Sequence, residues 1–260
     1  MLLTNSLRVL CFGDSLTAGY TQGGSLFHPY GIALKASLEK SLPSWDITTD
    51  VQGLGGDQAV SPPGSFFPRM DKLYTEVHPK TPYDWAVVLG GTNDLNQDRL
   101  PSDIFPALER VWAIPLSNNT KVLALTVTGC GACAPAVPER RADLNQRILG
   151  HREENYWIDI DVNDLDSYAY DLHKAVPYWG MSEERRKEIW DDTLHFTVKG
   201  YDLIGKLLAD RIVELAKQEE RESPKEELVR EELRKRRARQ EERIAVRERL
   251  ERLEEGQLEL

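Results

Sequence analysis

Hydrophobic positions in the first 216 residues follow two alternating rhythms. Short β-rich apolar runs at 7–13 (LRVLCFG), 46–52 (DITTDVQ), 84–90 (DWAVVLG), 121–127 (KVLALTV) and 156–161 (YWIDID) predict strands. Between them, 30–41, 66–77, 102–114 and 138–154 carry helical spacing. A last helix starts near Val198, with Tyr201, Ile204, Leu208 and Ile212 on one face. Runs such as WAVVLG and VLALTV are apolar at nearly every position, which requires burial on both sides. Strands covered on both faces belong to a parallel sheet between helix layers. The expected fold is therefore α/β, a three-layer α/β/α sandwich with its functional loops at the carboxyl ends of the strands. The polar, aromatic stretch 162–192 reads as an irregular loop or lid over that edge.

The rhythm stops near residue 217. From Lys217 onward, thirteen Lys/Arg and fourteen Glu fall within forty-four residues, with no aromatic side chain. Such a segment cannot bury enough apolar surface to make a core. It suits a solvated helix with Glu-to-basic pairs four apart, such as Glu231 with Lys235, started by Ser223 and Pro224 with Glu226 completing a capping box. The expected organisation is a domain at 1–216 and a charged helical extension at 217–260. Val246, Leu250 and Leu253 offer that extension one short stripe for self-association or a partner helix.

Composition removes several classes of function. A net charge of -10 argues against binding a nucleic-acid backbone. No apolar run approaches the roughly 18–20 residues that span a bilayer. The start has no basic lead-in of the secretory kind, and three cysteines make no disulfide framework, so a cytoplasmic location is expected. His28, His78, His151 and His173 lack metal-ligand spacing, and no phosphate-binding glycine loop is found. Cys130 and Cys133 stand at C-x-x-C spacing without the second pair a metal would need. They read as two small apolar side chains after the fourth strand or, as the sharper alternative, as a redox dithiol.

Four stretches fall where the architecture puts chemistry. GDSLTAG follows the first strand, GLGGDQ the second and GGTNDL the third, while DDTLHFT precedes the last helix. Singly, each has an ordinary explanation. Ser15 could turn the chain or cap a helix, Asn93 and Asp94 could form a turn, Gly56 could supply an unusual backbone angle, and His195 could cap the last helix. None of these explanations calls for all four stretches on one edge. A serine hydroxyl becomes a nucleophile when a base takes its proton and a carboxylate fixes the tautomer of that base. Ser15 follows a strand, and Asp192 with His195, three residues apart, can pair locally.

In order and approximate spacing these stretches resemble the SGNH hydrolases, the GDSL esterase/lipase family, over roughly residues 7–216. The resemblance implies a five-stranded sheet in flavodoxin-like order and a serine esterase that works through an acyl-enzyme, without metal or cofactor. It makes Ser15 the nucleophile, His195 the general base and then acid, and Asp192 its orienting carboxylate. Asp191 is the alternative acid, one residue off the family spacing. The implied oxyanion donors are the Ser15 N–H, the Gly56 N–H and the Asn93 side-chain amide. Gly56 is preferred to Gly55 because Asp57 follows it. The partner is a small-molecule ester, and family members act on acetylated sugars, lysophospholipids, thioesters and aryl esters. Three features depart from the family: VQGLGGDQ lacks the asparagine often found at its start, 162–192 matches no family motif, and the charged extension is not general. The rival reading is a non-catalytic binding or scaffold protein of the same fold that uses the extension for partners.

Overall fold

The computed structural model describes residues 5–151 and 166–221. Strand β1 (Asn5–Gly13) is followed by a small hairpin, β2 (Tyr20–Thr21) and β3 (Leu26–Phe27), and then by β4 (Trp45–Gly53), β5 (Trp85–Leu89), β6 (Lys121–Leu125) and β7 (Ser167–Tyr170). Apart from the hairpin they form one parallel five-stranded sheet in the order β4-β1-β5-β6-β7. This is the flavodoxin-like order, with its switch point beside β1. The register aligns the strand ends, since Gly13 pairs with Gly53 on one side and Leu89 on the other.

The sheet is covered on both faces, and the period-two alternation of its strands decides which side chain goes where. Leu7, Val9 and Cys11 of β1, with Val87 and Leu89 of β5, pack against α2 (Gly31–Ser41) and α9 (Val198–Arg221) through Leu34, Leu38, Ile204, Leu208 and Ile212. Leu10 and Phe12, with Ala86 and Val88, face α3 (Phe66–Lys72), α5 (Pro101–Ser117) and α6 (Val137–Gly150) through Phe66, Met70, Leu108, Val111 and Leu144. Two short helices, α1 (Ser15–Ala18) and α4 (Thr92–Asn96), begin just beyond β1 and β5.

One expectation needs correction and another cannot be placed. The run 156–161 lies outside the described residues, and the fifth strand is Ser167–Tyr170, inside the stretch read as irregular. That strand has β6 on one side only, and half of it stays partly exposed, so its sequence SYAY lacks the apolar density of the central strands. The same stretch also contains α7 (Leu172–Ala175) and α8 (Glu183–Ile189). Ser182 caps α8 by accepting from the Arg185 N–H at 3.2 Å, and Glu183 and Glu184 occupy its first turn. That is a helix-start signature which the surrounding aromatic residues obscure. The last helix continues unbroken past Lys217 to Arg221, while the predicted start at Ser223 lies outside the described residues. Among the described residues no helix is long and apolar enough to cross a membrane.

Candidate active site

Ser15 is the first residue of α1, and its hydroxyl does not cap that helix. Asp14 does, by accepting from the Leu16 N–H at 2.9 Å. The Ser15 Oγ instead lies 3.0 Å from His195 Nε2. Gly13 allows the sharp exit from β1, because a Cβ there would stand 2.3 Å from Thr17 Oγ1 and 2.4 Å from the Leu89 carbonyl. On the far side of the imidazole, Nδ1 lies 2.8 Å from Asp192 Oδ2. Asp192 Oδ1 accepts the backbone N–H groups of Leu194 and His195, each at 2.6 Å. Burial pushes the Asp192 carboxyl up, but these N–H groups and the imidazole together outweigh it and hold it below the usual range.

Asp191, the alternative acid, is engaged elsewhere. Its Oδ2 accepts the Gln22 N–H at 2.6 Å and so ties the β2–β3 hairpin to the acid–base loop, the turn that carries Asp192 and His195, named for the roles expected of them. From that hairpin Tyr20 lays its ring against the imidazole, with centroids 4.4 Å apart, and its own carbonyl accepts the Tyr201 hydroxyl at 2.8 Å. Tyr20 carried no local signal in the sequence.

The remaining predicted residues converge on the same edge. The turn after β4 brings Gly55 over Ser15, where a Cβ would lie 4.0 Å from the Ser15 Cβ. Gly56 follows with φ +76°, a left-handed conformation that favours glycine. Asn93 Nδ2 donates to the Asp57 carbonyl at 2.9 Å and, more loosely, to Asp14 Oδ2 at 3.3 Å.

A set of acids and one arginine beneath this edge holds the three loops together. Asp57 accepts from Gln58 N at 2.9 Å, Ser65 N at 2.7 Å and Arg69 Nη1 at 2.6 Å. Arg69 also donates to the carbonyls of Gly13 at 3.2 Å and Gln52 at 2.6 Å, so one guanidinium joins the ends of β1 and β4 to the second stretch. Asp94 is fully buried and accepts the N–H groups of Ala59 and Val60, both at 2.9 Å, joining the second stretch to the third.

Asp14 is also fully buried, and desolvation, opposed by the Leu16 N–H and reinforced by Asp94 and Asp57, raises its carboxyl from 3.8 to about 7. The stability it contributes is therefore complete below the unfolded value and is lost as pH rises towards 7. Between pH 5 and 8 the loss is on the order of 3 kcal/mol. Asp14→Asn mimics the neutral acid, so its melting temperature should fall less over that interval than the wild-type value does. Thermal melts at pH 5 and pH 8 check this; parallel shifts in the two proteins would count against it.

Similarity to known proteins agrees with this geometry. Solved structures with the same fold include the native M. smegmatis aryl esterase, with a TM-score of 0.60 and 18% identity over 80% of this chain and 99% of that one. A carbohydrate acetylesterase from Sinorhizobium meliloti matches with a TM-score of 0.57 and 19% identity over 80% and 99%. An acetyl-xylooligosaccharide esterase from Geobacillus matches with a TM-score of 0.58 and 15% identity over 82% and 96%. No curated protein matches the chain significantly. The GDSL-like lipase/acylhydrolase family matches residues 11–203, most of the domain and every stretch that meets at Ser15. The chain belongs to the GDSL-like lipase/acylhydrolase family of carboxylic ester hydrolases.

Proposed function

We propose that the protein hydrolyses a small carboxylic ester through an acyl-enzyme on Ser15. The observation that carries this reading is the relay Ser15 Oγ to His195 Nε2 at 3.0 Å and His195 Nδ1 to Asp192 Oδ2 at 2.8 Å. His195 takes the serine proton as Oγ attacks the ester carbonyl, then gives it to the departing alkoxide. Water repeats the sequence to release the acid. Asp192 keeps the Nδ1 proton in place, so that Nε2 presents a lone pair to the serine. The exposed Leu54, beside the nucleophile turn, and Phe27, packed on Tyr20, suit an apolar portion of the ester.

The negative oxygen of the tetrahedral intermediate receives the backbone N–H groups of Ser15 and Gly56 and one Asn93 amide hydrogen. The looser Asn93 bond, to Asp14 at 3.3 Å, is the one an oxyanion replaces. With its carboxyl raised to about 7, Asp14 is largely neutral below about pH 6 and only about half charged at pH 7, which lessens the like charge beneath the oxyanion. Asn93→Ala should lower kcat by on the order of 10²–10³, the usual effect of losing one oxyanion donor, with KM much less affected. A kcat within about twofold of wild type would remove Asn93 from the mechanism.

A fluorophosphonate probe tests the reading as a whole. Stoichiometric labelling that disappears in a folded Ser15→Ala variant supports it. Absence of labelling in the wild-type chain overturns it and leaves the scaffold reading.

A further inference from the structure

The Cys-x-x-Cys loop after β6 packs against the acid–base loop, in surroundings that suit a reactive sulfur pair. Cys130 and Cys133 are joined as a disulfide with their Cα atoms 5.8 Å apart, which corrects the expectation of two small apolar side chains. They are three residues apart, so a bridge between them closes too short a loop to restrict the unfolded chain strongly. Arg141 on α6 is buried, and among the described residues its guanidinium bonds go to these sulfurs. Its Nη1 lies 3.1 Å from Cys130 Sγ and 3.7 Å from Cys133 Sγ. A cation beside cysteine favours the thiolate, the form that leaves a disulfide on reduction and attacks one on exchange. Both cysteines are only partly buried and Ala132 between them is exposed, so a small thiol can reach the bond.

The same loop touches the chemistry. The Gly131 N–H donates to the Thr193 carbonyl at 2.7 Å, and Thr193 lies between Asp192 and His195. Trp179 Nε1 donates to the Cys130 carbonyl at 3.2 Å. Tyr178 covers Gly131 so closely that a Cβ there would stand 2.3 Å from its ring. The segment between the two cysteines is therefore hydrogen-bonded to the main chain that carries the imidazole.

We propose that Cys130 and Cys133 form a redox site for low-molecular-weight thiols whose state sets how firmly the Asp192–His195 loop is held. In the reducing direction a small thiolate attacks one Sγ, breaks the Sγ–Sγ bond and leaves a mixed disulfide and a cysteine thiolate. A second small thiolate then attacks the sulfur of the bound small thiol and displaces the other cysteine as a thiolate. Two electrons and two protons reach the cysteines, and the small thiols depart as their own disulfide. The catalytic consequence rests on the esterase reading above; the thiol exchange itself does not.

The test uses the full chain, treated with excess dithiothreitol or with oxidised glutathione and then desalted. Thiols are counted by mass after alkylation in denaturant, and kcat is measured on a small aryl ester. Reduction should expose two thiols beyond Cys11, oxidation should remove them, and kcat should be lower in the reduced state by roughly fivefold or more, at the low end of ordinary coupling between sites. The double variant Cys130→Ser, Cys133→Ser should match the reduced enzyme and ignore both treatments. Cysteines that resist excess dithiothreitol in the folded protein, or equal kcat in the two states, would overturn the proposal. If the thiol count changes while neither state hydrolyses ester, the esterase reading and the coupling fall and the redox site stands.

Discussion

Replacing Ser15 with alanine is expected to lower turnover of a small aryl ester by on the order of 10⁴–10⁶, with substrate binding largely retained. The hydroxyl contributes no cap to α1, a role that Asp14 fills, so its removal should leave the fold intact. His195→Ala should cost a similar factor, because a serine without its base stays protonated and a base without its serine has nothing to activate. The double variant should then be scarcely slower than either single one, since the two groups act as a unit. Circular dichroism and melting curves would establish that all three proteins are folded before rates are compared. Near-normal turnover in Ser15→Ala would return that residue to a turn role and end the acyl-enzyme reading.

Asp192→Asn is expected to cost on the order of 10⁴ in kcat, the effect of the equivalent change in the best-studied serine protease triad. The amide oxygen can still accept the N–H groups of Leu194 and His195, which the carboxylate takes at 2.6 Å, so the loop should keep its shape. The amide nitrogen, by contrast, would face His195 Nδ1 as a donor. That forces the proton onto Nε2, where it meets the serine hydroxyl without a lone pair to offer. Asp191→Asn provides the contrast, since that carboxylate serves the Gln22 N–H and not the imidazole. Its effect on kcat should be far smaller. Equal losses in the two variants would show that the loop as a whole, rather than the tautomer, had been disturbed.

What could be read from the sequence followed the range of the interactions. β1, β5 and β6 were legible because strands covered on both faces carry dense apolar runs, as in Trp85–Leu89, while β4, a nine-residue edge strand with one buried side chain, showed itself through its β-branched Ile47, Thr48, Thr49 and Val51. β7 was not legible, because a short strand paired on one side only needs no such run. The candidate site was legible where it was local: Asp192 and His195 three residues apart, Ser15 directly after the first strand, Asn93 just after the third. What escaped was tertiary. Arg69 reaches from α3 to Gly13, Gln52 and Asp57, and nothing in FFPRMDK marks it as the brace between three loops. Tyr20 meets His195, and Gly131 meets Thr193, only once the chain has folded.

The distance along the chain between nucleophile and base also shapes the life of the protein before it is complete. Ser15 and His195 are 180 residues apart. During synthesis Ser15 emerges well ahead of His195, on a strand that must still receive β4 on one side and β5 on the other. His195 follows just ahead of the helix that, with α2, covers one face of the sheet. A chain made only as far as β6 therefore carries Ser15 without the histidine that the proposed mechanism requires. On the mechanism proposed above, hydrolysis waits until the loop ahead of α9 has been made and docked.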